Sequence, residues 1–504
     1  MSTSDLQLKH DLAFEDLYRR DGLVRLDAAF ISWLASVGLE LHNRLVTARR
    51  DPDALDHKAQ SQLLTDLAPH LEEFVADLFG IGAEARALRA RHHALAPLYE
   101  VKRLFVQRRA VKGMVAEKAA ALDGPALGRE LETLMGEALT EQSYATHVSR
   151  WMAAEAEHAA ALDLAARYGA WATLAPDGQA RHRRGVLFKV PHKVEMTHLI
   201  PVETVVEQGV TMLRLGPEHA RARAGFALTD AGMDLTAALD HANYCIWCHH
   251  QGKDSCSHGF KDKKTGAFQK TVFGVTLAGC PLEEKVSELN AVKAEGWSIG
   301  GMAIAAVDNP MMAATGHRIC NDCMKACIYQ KQEPVDIPQI ETRTLKDVLS
   351  LPWGFEIYGL ITRWNPLDIR RPLPRPPSGY KVLVVGLGPA GFTLAHHLMN
   401  DGHAVVGIDG LKIEPLPAEI SGIDAHGKRH PFRPIRDVEE LREPLNSRTM
   451  AGFGGVAEYG ITVRWNKNYL KLVRLLLERR VRQFAHFGGV RFGGTLTMDD
   501  AWAM

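Results

Sequence analysis

No cysteine precedes Cys245 and none follows Cys327. Seven thiols, an odd number confined to one window, argue against a disulfide framework and make metal binding the leading account of the cluster. Charge of one sign is also lacking, because 60 Lys and Arg face 60 Asp and Glu. No global field therefore draws the chain to nucleic acid or to an anionic membrane. The longest apolar stretches, such as "VLVVGLGPAG", are broken by glycine and fall well short of the roughly 18 apolar residues a membrane helix needs. The opening "MSTSDLQLKHDLAFEDLYRR" mixes acids and bases where a signal peptide has its apolar core. A cytoplasmic location without membrane insertion is expected. Neither a fixed-period repeat nor a low-complexity tract occurs.

What is present reads as a multidomain soluble protein. At 504 residues, 46% apolar and 24% charged, the chain is too long for one core and should divide into about three or four domains. Residues 1–240 read as an all-α domain of unknown role. In "LEEFVADLF", Leu71, Phe74, Val75, Leu78 and Phe79 share one helical face. Val101, Leu104, Phe105, Met114 and Val115 continue the helical period, with a basic run on what is expected to be a solvated face. The pairs His92/His93 and His396/His397 lie in helical stretches without a second ligand at ligand spacing, and surface positions are expected for them. Residues 346–378 are expected to be an extended linker, because "NPLDIRRPLPRPPSG" favours open, hydrogen-bond-free backbone.

The cysteines fall as Cys245, two residues, Cys248, seven residues, Cys256, twenty-three residues, Cys280, and then Cys320, two residues, Cys323, three residues, Cys327. Two-residue spacing lets neighbouring thiolates turn onto one metal centre, with lone cysteines supplying further corners. Zinc uses the same spacing, and His249, His250 and His258 are close by, so zinc and iron-sulfur clusters both remain open on spacing. Between Cys256 and Cys280 a Lys-Thr-Gly turn signal predicts a hairpin.

From residue 379 the pattern changes to strand, glycine turn, helix and strand. Gly386, Gly388 and Gly391 stand in G-x-G-x-x-G spacing, enclosing Pro389 and Ala390. The first glycine permits the tight turn, the second lets backbone approach a pyrophosphate, and the third allows close helix packing. Asp409 ends the next apolar run, where an acid can bond a ribose hydroxyl. The glycines do not separate FAD from NAD.

The runs "GCPLEEKVSELN", "TGHRICNDCMKAC" and "VDIPQIE", followed by the glycine motif, resemble the glutamate synthase small subunit and the N-terminal part of dihydropyrimidine dehydrogenase. The resemblance covers residues 241 to 504. It implies an α-helical domain with two [4Fe-4S] clusters over 241–345, and an α/β Rossmann-like FAD-binding domain over 379–504 that is incomplete at its C-terminus. By position, Cys245, Cys248, Cys256 and Cys327 would hold one cluster. Cys280, Cys320, Cys323 and Glu341 would hold the other, the glutamate taking the corner that seven cysteines leave open. Gly454 and Gly455 match the second glycine segment lining the flavin. Two departures touch the first cluster most: the long insert between Cys256 and Cys280, and the shorter, proline-free stretch after Cys320.

The function implied is an FAD-dependent NAD(P)H oxidoreductase component that passes electrons between flavin and clusters. NAD(P)H would act through a C-terminal portion or partner subunit, with an electron-acceptor protein as a further partner. The alternative is a zinc-stabilised binding or scaffold protein with a non-catalytic nucleotide-binding remnant. No catalytic acid, base or nucleophile can be named.

Overall fold

The computed structural model describes residues 6–503 other than 218, 221, 223–224, 226, 229, 316–319, 447–452 and 454–465. The chain is multidomain and about half helical, with two small sheets. From Phe14 to Arg181 every regular element among the described residues is helical.

The helix His57–Leu78 begins where the Asp56 carboxylate accepts the Ala59 amide at 2.7 Å, satisfying one of the free donors of the first turn. Leu71, Phe74, Val75, Leu78 and Phe79 are all buried, as their spacing predicts. This face packs on the helix Ser298–Asp308. A side chain at Gly300 would meet the Ala68 carbonyl oxygen at 2.6 Å, so the two backbones meet where there is no Cβ. Farther along, Lys102–Ala110 is a π-helix. Its wider turn breaks the expected 3.6-residue period: Val101 and Phe105 are buried while Leu104 and Val115 are exposed. The basic run is solvated at Arg103, Arg108 and Arg109, but Lys102 is buried and pairs with Asp240 at 2.7 Å.

Residues 1–240 do not share one core. Side chains from residues 98–188, with Leu239, close a core of their own. Residues 12–88 instead join residues 289–484 in a larger one. A two-stranded antiparallel hairpin, β1 (Val202–Glu207) and β2 (Val210–Leu215), interrupts the expected all-helical run. Its branched residues alternate too briefly to be separated from a helix by period.

The expected linker is corrected as well. Residues 346–378 hold the buried helix Gly354–Ile361, and Trp364, Leu367 and Ile369 are buried after it. The apolar run before the prolines belongs to the core, and residues 350–353 and 362–378 lack regular elements. Tyr18 donates to Glu356 at 2.8 Å and Arg479 donates to both, at 3.0 and 2.9 Å. Three distant parts of the chain thus meet at one buried ion pair.

At the C-terminal side, β3 (Lys381–Val385), β4 (Ala404–Asp409) and β5 (Phe484–Gly488) form a parallel sheet in the order β3-β4-β5. The helix Pro389–Asn400 links β3 to β4 and packs on both, as the strand-turn-helix-strand reading predicts. No helix among the described residues is long and apolar enough to cross a membrane.

Candidate functional site

The cysteines come from short, loop-rich segments. Cys245 ends the helix Leu235–Tyr244, and the following Trp247 adopts φ 52°, turning its amide back to the Cys245 sulfur at 3.4 Å. Cys256 sits in a single helical turn capped by Asp254. Its carbonyl accepts the Cys280 amide at 2.8 Å, which joins the two ends of the insert. The insert turns at Lys264–Gly266, where Asp262 accepts the amides of Lys264 and Thr265. Isolated antiparallel bridges, Lys261 with Phe268 and Lys270 with Thr276, hold it in place of a continuous ladder.

Two sets of thiols result. Cys256 and Cys327 interact with each other, which brings Cys327 down to about 7 while Cys256 rises well above the usual thiol range. Cys245 and Cys248 lie in the field of Cys327, and burial pushes them up to about 11 and about 12. Cys280, Cys320 and Cys323 interact with one another as the second set; burial raises all three, Cys280 to about 11. Cys323 is also felt at Cys256, so the sets are neighbours.

Among the described residues, no three Cys, His, Asp or Glu side chains stand together closely enough to hold a metal ion. The members of each set share a field without a common focus. Their chemistry nonetheless suits a cation: burial holds most of these thiols protonated, and a metal charge reverses that preference.

Glu341, expected beside the second set, is buried within the field of Cys323, and burial pushes it up to about 8. Its Oε1 accepts from Asn309 at 2.8 Å. The sequence reading missed Glu284. That carboxyl is fully enclosed, interacts with both Cys323 and Cys280, and leaves Oε1 without a hydrogen-bond partner. Its place four residues after Cys280 was the available signal.

Of the nearby histidines, His249 is buried and pairs Nδ1 with the Ser287 hydroxyl at 2.6 Å. It lines a cavity of about 30 Å³ together with Asp254, Ser257 and Glu288. Each of these four side chains has one buried polar atom without a partner, and the space suits one water-sized occupant. The His258 ring lies beside that of His57, with centroids 4.7 Å apart and the planes tilted by 55°. The surface expectation fails for His92 and His396, both buried, and fits the exposed His93 and His397. In a packed helix the neighbouring position points inward, so one of each pair had to be buried or half-buried.

At the nucleotide turn, Gly386 has φ 88° and its amide reaches the Ile408 carbonyl at 2.8 Å. A Cβ at Gly391 would lie 1.8 Å from the Gly386 oxygen, whereas one at Gly388 would meet nothing within 4 Å. The third glycine is therefore required by packing, and the second leaves an open approach at the start of the Pro389–Asn400 helix. Pro389 and Ala390 form its first turn. The Asp409 carboxylate accepts the amides of Leu387 and Leu411, each at 2.9 Å. It braces the turn from below, a structural duty beyond the expected ribose contact. Gly454 and Gly455 lie outside the described residues.

Residues 8–80 match the RP005 N-terminal alpha-helical domain. The chain is 53% identical to Uncharacterized protein RP006 of Rickettsia prowazekii (strain Madrid E) over 191 residues, 38% of this chain. That alignment spans 25% of the relative's own length. It is 30% identical to Uncharacterized protein RP005 of the same organism over 304 residues, 58% of this chain and 99% of that protein. By that coverage, the chain belongs to the RP005 family.

Proposed function

We propose that the chain is the cluster-bearing and nucleotide-binding part of an iron-sulfur flavoprotein oxidoreductase, similar to the glutamate synthase small subunit. The observation that carries this reading is the sorting of the seven cysteines. Cys327 acts on Cys245, Cys248 and Cys256, while Cys280, Cys320 and Cys323 act on one another and Cys323 also reaches Cys256; this grouping supports the division that the resemblance implies for two [4Fe-4S] clusters. Bound clusters would supply one-electron transfer and FAD would supply exchange with a hydride donor.

The chain's own residues have simpler tasks. Cysteines of the two sets supply thiolates, and Glu341 or Glu284 supplies an oxygen. The turn at Gly386–Gly391 presents backbone to a pyrophosphate, in a Rossmann-like FAD-binding unit. NAD(P)H would act through a C-terminal portion or partner subunit, in the cytoplasm, with an electron-acceptor protein completing the route.

Analysis of iron, sulfide, zinc and flavin in protein purified without oxygen tests this. Brown protein with about eight irons and eight sulfides per chain is expected, the content of two four-iron clusters. Colourless protein holding zinc would overturn it in favour of a zinc-stabilised scaffold.

A further inference from the structure

A second cleft, of about 440 Å³, opens between the His57–Leu78 helix, the segment around Lys285 and Asp308, and residues 361–374 with the end of the Pro389–Asn400 helix. Arg363, His396, His397 and Asn400 are among its lining residues. Arg363 is 6% exposed and its Nε has no hydrogen-bond partner. Its guanidinium lies 4.1 Å over the Tyr18 ring. Behind Asn400 stands Arg480, 4% exposed, whose two Nη groups both donate to the Asn400 side-chain oxygen at 2.9 Å.

Neither guanidinium has a carboxylate partner among the described residues. The carboxylate nearest in effect, Glu356, is already bound by Arg479 at 2.9 Å. The other charges of the cleft are matched: Lys285 with Asp308, Arg370 with Asp53, and Arg371 with Asp401. Asp368 accepts the amides of Arg370 and Arg371. Two buried cations, Arg363 in the lining and Arg480 behind Asn400, thus lack a carboxylate partner among the described residues, an unfavourable arrangement unless a counter-charge arrives. Burial and the two arginines also hold His396 neutral.

We propose that this cleft binds a phosphate-bearing small molecule, with Arg363 donating to its dianionic phosphate group and Arg480 supplying the second charge from behind Asn400. Arginine suits the task because its planar fork matches phosphate oxygens. The cleft exceeds a bare phosphate in size, leaving room for the body of the molecule along Leu367, Ile369 and Leu373. Its far wall carries Glu283 and Lys285, on either side of Glu284 at the second thiol set. The site is separate from the glycine turn, since His396 and Asn400 lie at the opposite end of that helix.

Calorimetric titration of the full chain with inorganic phosphate, at fixed ionic strength against chloride, tests the proposal. Saturable binding is expected, and Arg363→Gln should weaken it about tenfold or more, since one hydrogen bond to a charged group is worth at least that factor. Absence of phosphate-specific binding would overturn the proposal, as would unchanged affinity in an Arg363→Gln protein with native melting. Should that variant not fold, substitution of the exposed lining residue, His397→Glu, decides: weakened phosphate binding supports the site, and unchanged binding overturns it. In the wild type, displacement of phosphate by ADP supports the site with a nucleotide as the phosphate source; phosphate binding indifferent to ADP supports it with a free phosphate.

Discussion

Glu72 caps a helix to which it does not belong: its carboxylate accepts the amides of Ile299 and Gly300 at 2.8 and 3.3 Å. Burial nevertheless pushes this carboxyl up to about 7. A carboxyl whose folded value is raised favours the protonated form in the fold. Its contribution is therefore most favourable below the unfolded value near 4.5, and is lost as pH rises through about 7. Glu72→Gln keeps an acceptor for the amides and removes the charge. Denaturant melts should show the variant gaining on the wild type between pH 5 and pH 8, by about 3 kcal/mol, and the two converging at low pH.

If two four-iron clusters bind as proposed, the eighth ligand can be assigned by comparing two carboxyls. Glu341 already accepts from Asn309, whereas Glu284 keeps an oxygen unpartnered beside the same thiols. In anaerobically purified protein, Cys323→Ala should abolish one of two cluster signals in electron paramagnetic resonance. Whichever of Glu341→Ala and Glu284→Ala alters that same signal, leaving the other cluster unchanged, identifies the oxygen ligand. If neither does, the fourth corner is not a carboxylate of this pair.

The two glycines of the turn separate packing from binding. Gly391→Ala drives a Cβ into the Gly386 oxygen, and a loss of about 3 kcal/mol or more in thermal or chemical melts is expected. Gly388→Ala enters open space at φ −69° but places alanine at the helix N-cap, which should cost about 1 kcal/mol or less. FAD binding, followed by quenching of flavin fluorescence, should fall in both variants.

Lys293 and Asp347 form an ion pair with no solvent exposure at either side chain, flanked by His92 and Arg343. Removing one partner strands the other charge. Lys293→Met should cost about 3 kcal/mol in denaturant melts, at the lower end of the range for broken buried pairs because Arg343 remains on Asp347.

How much of this was legible in the sequence depended on whether the determining contacts were local. The stripe from Leu71 to Phe79, the Lys-Thr-Gly turn and the strand-turn-helix-strand unit at Gly386 are set within a few residues, and each appears where its pattern placed it. Nothing in the cysteine spacing announces Glu284, because what brings it to Cys323 is the fold. The domain boundaries were not legible because the deciding contacts are distant. Ala68 finds Gly300, and the apolar residues before the prolines find a core at both ends of the chain. Proline content described the tail of residues 346–378 and hid the buried helix ahead of it.

The meeting of Tyr18, Glu356 and Arg479 has a consequence for synthesis on the ribosome. Residues 98–188 can close their core while later residues are still being translated, since nearly all its members are sequence neighbours. The helices of the earlier segment 12–88 pack partly on one another, but the core they share with residues 289–484 is not complete until those residues emerge. Chain order and folding order are therefore inverted at the N-terminus, and that interval, when hydrophobic surface is exposed, is when the nascent protein has most need of a chaperone.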